Sequence, residues 1–398
     1  MERFKGEGYR VKGERYRVKG TGYPSPFTLH PETLLGRSPI ETDFEAIGRN
    51  LNGKVILVTG AAGSIGSEIV CQLCRINPGL LLLCDMAETP LYRLDLDLKN
   101  TFPNVKFKTM IADVRNKGKM EYVFSTCRPH CVYHAAAYKH IPLMESHPDE
   151  AILTNVMGSK IVADMAVAYG TECFIMISSD KAVNPGNVMG ASKRIAEIYI
   201  QALSGHLQKE SKANPLSIRF ITTRFGNVLG SSGSVVPLFE KQIKAGGPVT
   251  VTDPDIIRYF MTIPEACSLV LEASNLGKGG EIFIFDMGNP VRIKDMAEEM
   301  IRLSGYKPYK EIDIQYTGLR PGEKLFEELL YDKETCQPTN HRKIRIANVC
   351  EQDIHKVLPL LNRLIEVSYT GNNREVVRIM KQIVPEFKSL NSEYSELD

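Results

Sequence analysis

The strongest constraint on this chain is a spacing of three glycines, Gly60-x-x-Gly63-x-x-Gly66, placed directly after the β-branched run Val55-Ile56-Leu57-Val58-Thr59. The first glycine lets the backbone turn sharply off a strand. The second lets it approach a pyrophosphate, and the third lets the following helix pack close to the sheet. Ser64 and Ile65 then fall in the first helical turn, where free N–H groups and the positive dipole end face a phosphate. A strand before the glycines and an amphipathic pattern after them, over 64–75, is the context that gives such a motif its meaning.

The rest of the first half repeats this alternation. Apolar runs at 80–84, ending at Asp85, at 105–111, ending near Asp113, at 131–134 and at 173–178 are separated by helical patterns. Strands and helices alternating at this distance predict an α/β fold, a Rossmann-type doubly wound parallel sheet. Beyond Arg224 the texture turns Gly/Pro-rich with shorter elements, including helices expected over 264–275 and 293–304, which reads as a smaller C-terminal substrate-binding lobe. The expected organisation is a basic tail over 1–48, a dinucleotide-binding Rossmann domain over 49–225, a lobe over 226–345 interleaved with it, and a helical extension over 346–398. The tail contains a short repeat, Tyr9-Arg10-Val11-Lys12-Gly13 and Tyr16-Arg17-Val18-Lys19-Gly20, read as a disordered or mis-assigned start.

A net charge of +2 without a concentrated basic stretch in the body of the chain gives no support to a nucleic-acid partner. The nine cysteines are scattered, and Cys71-x-x-Cys74 falls inside the helical pattern, so both are expected to face the core rather than bind zinc or carry redox chemistry. No metal site is assigned. That cysteine usage fits a reducing, cytoplasmic setting. No stretch is read as reaching the roughly 18 apolar residues of a membrane span, and no secretory apolar run is seen at the start.

Asp85, at the end of the second strand, is placed to accept hydrogen bonds from the adenosine ribose hydroxyls and would repel a 2′-phosphate, which favours NAD over NADP; Arg93 downstream keeps NADP open. Asp113 and Val114 suit a contact to the adenine. Ala135 and Ala136, in a run of small residues, leave room for a cofactor or allow a tight helix–sheet contact.

Six ordered segments carry a family likeness: 58–68, His134-Ala135-Ala136-Ala137-Tyr138-Lys139-His140-Ile141-Pro142, 178–193, Arg224-Phe225-Gly226-Asn227-Val228-Leu229-Gly230-Ser231, Arg258-Tyr259-Phe260-Met261-Thr262, and Leu319-Arg320-Pro321-Gly322-Glu323-Lys324. From Leu51 to Leu330 the chain resembles the extended short-chain dehydrogenase/reductases acting on nucleotide sugars, and within them the bacterial UDP-N-acetylglucosamine 4,6-dehydratases of polysaccharide biosynthesis. Many relatives carry membrane helices ahead of this unit, so the chain resembles their soluble short form. The resemblance implies a UDP-sugar substrate, a homo-oligomer, and retention at C5. It makes Lys181 the base at C5, Asp180 the acid at C6, Ser179 a partner of the C4 hydroxyl, and Lys193 the holder of the nicotinamide ribose. Met189 stands where the wider superfamily has its tyrosine, leaving the C4 base open among Asp180, Ser179 with a water, and Lys193.

Desolvation is expected to lower the Lys181 pKa, while an ionised Asp180 pulls the other way. Lys139 and His140 are expected near the sugar, and Asn227, Arg258, Arg320 and Glu323 near the UDP diphosphate and ribose. Rival readings are a C5-inverting dehydratase, a UDP-N-acetylhexosamine 4-epimerase, and a non-catalytic NAD-binding regulator.

Overall fold

The protein is described here by a computed structural model covering residues 42–210, 218–328, 335–348 and 352–398. The basic N-terminal repeat lies outside the described residues.

The fold is α/β. Among the described residues, fourteen strands follow one another as β1 (Val55–Thr59), β2 (Leu80–Asp85), β3 (Phe107–Ile111), β4 (Cys131–His134), β5 (Cys173–Ile177), β6 (Arg219–Arg224), β7 (Asn227–Leu229), β8 (Val249–Val251), β9 (Ile257–Thr262), β10 (Glu281–Phe285), β11 (Pro290–Arg292), β12 (Ile314–Tyr316), β13 (Cys336–Pro338) and β14 (Ile344–Ala347). A nine-stranded sheet runs β13-β14-β10-β6-β5-β4-β1-β2-β3. Its members from β10 to β3 pair in parallel, whereas β14 and β13 close one edge antiparallel. The sheet reverses its winding between β1 and β4, which opens a crevice at the carboxyl ends of those strands.

The central strands β1, β2, β4 and β5 are largely apolar because both faces are covered. In β1, Leu57 joins a core shared with Val132 and Phe174, and its neighbours Ile56 and Val58 join a second core on the opposite face. The helix Ser64–Cys74 covers the second face together with Ile263–Leu276, and Val188–Glu210 covers the first. After β6 the chain leaves the sheet to build a lobe from β7 to β9, β11 and β12 around Phe239, Val249, Phe260 and Met300, with β10 returning to the main sheet in between.

Four expectations need adjustment. The helix Phe44–Leu51 begins inside the stretch read as tail; Ile47 and Leu51 are buried, and the Asp43 N–H donates to Glu272 at 2.8 Å. The C-terminal helices Ile354–Ser368 and Asn373–Ile383 are not an appendage. Their Leu361, Leu364, Val377 and Met380 are fully buried in the same core as Leu57, because an amphipathic polar–apolar pattern reads as polar when only composition is weighed. The expectation that no stretch has membrane-span length is corrected by Pro148–Ala168, 21 residues apolar enough to qualify by length and composition. Its apolar window is 72% buried inside the fold, as in the core helix of a globular protein. Its middle, Ile152–Gly158, is π-helical. Finally, β3 and β5 are one or two residues shorter than read, the usual scale of boundary error. Cys71 and Cys74 sit buried in the helix Ser64–Cys74, where desolvation pushes both thiols up to about 12 and makes them poor nucleophiles.

Candidate active site

The glycine loop is built for close approach. Gly60 has φ +66°, and a Cβ there would sit 2.6 Å from the Ala136 nitrogen. A Cβ on Gly66 would fall 2.0 Å from the Gly60 carbonyl oxygen, and one on Gly63 would lie 3.3 Å from the same oxygen. Side chains at the first and third positions would therefore fill the turn that the second closes. Ala135 and Ala136 are small because the loop lies against them. The Asp85 carboxylate accepts from the Ala62 N–H and the Ala87 N–H, both at 2.9 Å, which fixes it beside the loop at the tip of β2. Asp113 is tied to Arg115, whose Nε lies 2.9 Å from Oδ2 and whose Nη1 reaches Glu150 at 2.8 Å. Burial works against ionised Asp113, but the Arg115 hydrogen bonds and charge hold its carboxyl below the usual range. Val114 is buried against the π-helical turn, with its Cγ2 2.8 Å from where a Gly158 Cβ would stand.

At the carboxyl end of β5 the chain turns through Ser179 into a 3-10 turn, Asp180–Ala182. Asp180 is buried, and its Oδ1 accepts from the Ser179 hydroxyl at 2.8 Å and the Lys181 ammonium at 2.9 Å. Its Oδ2 is shut from solvent and has no hydrogen-bond partner among the described residues. Lys181 Nζ also donates to Asn227 Oδ1 at 2.9 Å and lies 3.7 Å from Glu327 Oε1. The expected lowering of the Lys181 pKa is reversed. Burial does press it down, but the charge of Asp180, then that of Glu327, and the hydrogen bond to Asp180 outweigh it and raise the group.

Lys193 behaves in the opposite way. It is buried one turn beyond Met189 on the helix Val188–Glu210, and its Nζ donates to the Ile177 carbonyl at 2.6 Å. Desolvation brings its pKa down to about 8 against a weaker pull from Glu197. Met189 is buried and offers no proton-bearing atom in the place expected for a phenol. The helix start is pinned tightly: a Cβ on Gly190 would stand 2.0 Å from the Lys181 carbonyl oxygen. Behind it, Glu197 forms a fork with Arg224, at 2.8 and 2.6 Å, and accepts from Ser178 at 2.6 Å.

The lobe meets this site through its loop after β7. The Ser232 N–H donates to Ser64 Oγ at 3.1 Å, Lys139 Nζ reaches Ser231 Oγ at 3.5 Å, and the His140 ring packs on Gly233, whose Cβ would stand 2.6 Å from His140 Cε1. Lys139 and His140 thus sit at the seam between glycine loop and lobe. Two residues expected at the nucleotide are turned elsewhere. Asn227 holds Lys181, and the buried Arg258 donates to the carbonyls of Ile257, Lys324 and Leu325 while lying 3.5 Å from Glu323 and 3.8 Å from Glu327. In this conformation its guanidinium is engaged within the protein, because the backbone after Pro321 wraps around it. Glu323 takes the Arg320 N–H at 3.0 Å and the Thr252 hydroxyl at 3.2 Å, closing the Arg320–Glu323 turn, and Arg320 is exposed.

Several supports escaped sequence reading. Asn155, fully buried in the π-helical stretch, accepts from the Tyr138 N–H at 2.8 Å and donates to the Tyr138 carbonyl at 3.0 Å and to Ser192 at 2.9 Å, bracing both sides of the site. Its one signal was a polar residue inside the apolar run Ile152 to Met157. Asn187 accepts from the Gly190 N–H at 2.7 Å and donates to the Gly322 carbonyl at 2.9 Å. Glu145 takes the Val188 N–H at 2.7 Å and the Ser392 hydroxyl at 2.5 Å.

Residues 56–349 match the family described as "Polysaccharide biosynthesis protein". The chain is 52% identical over 314 residues to the capsular polysaccharide biosynthesis protein CapD of Staphylococcus aureus, covering 79% of this chain and 51% of that one. It is 48% identical over 336 residues to the probable polysaccharide biosynthesis protein EpsC of Bacillus subtilis strain 168, covering 84% and 54%. The chain therefore spans about half the length of these curated relatives. The X-ray structure of Pen from Bacillus thuringiensis superposes with a TM-score of 0.69 at 32% identity, over 76% of this chain and 92% of that one.

Proposed function

The chain belongs to the polysaccharide biosynthesis protein family of extended short-chain dehydrogenase/reductases, and from that premise we propose that it is a UDP-N-acetylglucosamine 4,6-dehydratase that retains the configuration at C5. The observation that carries this reading is the Asp180–Lys181 ion pair, with Asp180 buried and Lys181 half-buried, set at the carboxyl end of β5, two strands from the glycine loop that follows β1. An oxidoreductase or epimerase working only at C4 has no use for a second acid–base pair. Removal of water from C5 and C6 requires one.

The cradle fits NAD. Glycines at 60 and 66 let the loop close tightly on its own backbone at the end of β1, as a dinucleotide-binding turn requires, and the Ala62 and Ala87 amides fix the Asp85 carboxylate at the tip of β2, the position suited to an adenosine ribose. When bound, NAD supplies the acceptor for the C4 hydride and the donor that returns it to C6. The residues do the rest. Lys193 holds positive charge near the C4 oxygen, and Ser179 orients the C4 hydroxyl. Lys181 takes the C5 proton and Asp180 gives a proton to the leaving C6 oxygen. The resting pair is Asp180 carboxylate with Lys181 ammonium. Moving one proton from Lys181 to Asp180 yields both the neutral base and the acid. Lys139 and His140, at the seam between glycine loop and lobe, are assigned to the sugar, and Arg320 to the nucleotide.

Incubation with UDP-N-acetylglucosamine followed by mass spectrometry tests the reading. A product lighter by one water supports it; recovery of sugar nucleotide of unchanged mass from freshly purified, cofactor-replete protein contradicts it.

A further inference from the structure

The ammonium of Lys181 has a neighbour that the reaction as described leaves without a role. Glu327 is buried, with its Oε1 3.7 Å from Lys181 Nζ and 3.8 Å from Arg258 Nε. Arg258 in turn is clamped by the Ile257, Leu325 and Lys324 carbonyls at 2.8, 3.2 and 2.7 Å and by Glu323 at 3.5 Å, so it cannot swing away. Glu327 thus stands between two cations, one fixed by backbone and one attached to the residue that must change its charge. The groups facing Lys181 are Asp180 on its own turn, Asn227 from β7, and Glu327 with Arg258 from the lobe.

We infer that Glu327 is a positioning residue for the elimination: with Arg258 as its anchor, it holds Lys181 Nζ in the orientation from which the C5 proton is removed. The inference rests on the dehydratase reading. The step balances within the pair and the substrate. The C5–H bond breaks toward Lys181 Nζ, its electron pair forms the C5–C6 double bond, and the C6–O bond breaks with the proton from Asp180, releasing water. Asp180 cannot serve this purpose alone. Asp180 takes part in the proton transfer from Lys181's own turn, whereas Glu327 reaches Lys181 from the lobe and exchanges no proton in the step. The direction in which Lys181 is shifted agrees, since Glu327 is the second charge that raises it.

The test is Glu327→Gln, read by two signals from the full-length protein. The first is absorbance of reduced nicotinamide on mixing with UDP-N-acetylglucosamine, which reports C4 oxidation. The second is deuterium exchange at H5 and C6 methyl formation in D₂O. The inference expects C4 oxidation to survive while H5 exchange slows about tenfold or more, with the basic limb of its pH profile moved to lower pH. Glu327→Asp, which keeps the charge, is expected to restore the limb and part of the rate. Wild-type exchange and an unmoved pH profile in Glu327→Gln would overturn it. So would equal loss of both signals in the Gln and Asp variants, which marks a purely structural role. A wild-type protein that releases no water from the sugar overturns the dehydratase reading and this inference together, whereas an active wild type with an indifferent Gln variant removes this inference alone.

Discussion

At Lys181 burial and charge oppose one another, and charge wins. A desolvated lysine alone would be a ready base; beside Asp180 and Glu327 it is an ammonium. The acid–base pair and the resting ion pair therefore hold the same number of protons, and the elimination should vary little with pH across neutrality. Lys193 sets the upper limit. Its pKa of about 8 means that its charge fades as pH rises through that value, so C4 oxidation should decline there, as a stopped-flow pH series of nicotinamide reduction would show. Lys181→Met should leave C4 oxidation measurable and drop water loss by at least about a hundredfold; full dehydration by that variant would remove Lys181 from the chemistry. At this scale the sequence was informative wherever a residue's neighbour in space is also its neighbour in the chain. Asp180-Lys181 is such a case. Glu327 and Asn227 are not: they reach Lys181 across 146 and 46 positions, by the arithmetic 327 − 181 and 227 − 181. Arg258 was read from its motif as a nucleotide-binding guanidinium, yet its direction depended on how the Lys324–Leu325 backbone folds around it.

At the scale of elements, the site is a set of helix starts and strand ends held at short range. The glycine loop and β1 to β5 were legible because period, glycine spacing and strand-end carboxylates are local signals. The π-helical turn was not, since nothing local distinguishes Ile152–Gly158 from an ordinary apolar helix; its reason is tertiary, to bring Asn155 between Tyr138 and Ser192. Asn155→Ala should cost about 1–3 kcal/mol of stability, readable by denaturant titration, because it strands buried partners. Gly190→Ala should do more to the chemistry than to the fold. Its Cβ would meet the Lys181 carbonyl at 2.0 Å and push the turn aside, and a displacement of that order lowers dehydration by about a hundredfold. Unchanged turnover in Gly190→Ala would show that the helix start does not position Lys181.

Over the whole molecule, the sheet is stapled behind the site by the fully buried Glu197–Arg224 pair. Burial acts against ionised Glu197, but Arg224 overcomes it and holds the carboxyl at about 2, against 4.5 for the unperturbed group. A folded-state pKa below the unfolded one means that the stabilisation is complete above 4.5 and is lost as pH falls toward 2. That difference corresponds to roughly 3 kcal/mol, and thermal melts from pH 5 to pH 2 should show it, with Arg224→Met flattening the dependence. The C-terminal helices and the tail through Ser392 belong to the same frame, as Glu145 links them to the start of the active-site helix. Composition concealed this, because their apolar faces show only at helical period. Proton NMR of UDP-N-acetylglucosamine incubated with the protein in D₂O tests the proposed dehydration most directly. A new C6 methyl signal beside a 4-keto or hydrated C4, with deuterium at C5 and H5 couplings of the retained configuration in the residual protio product, is the predicted result; appearance of only the C4 epimer, with no methyl signal, would contradict it.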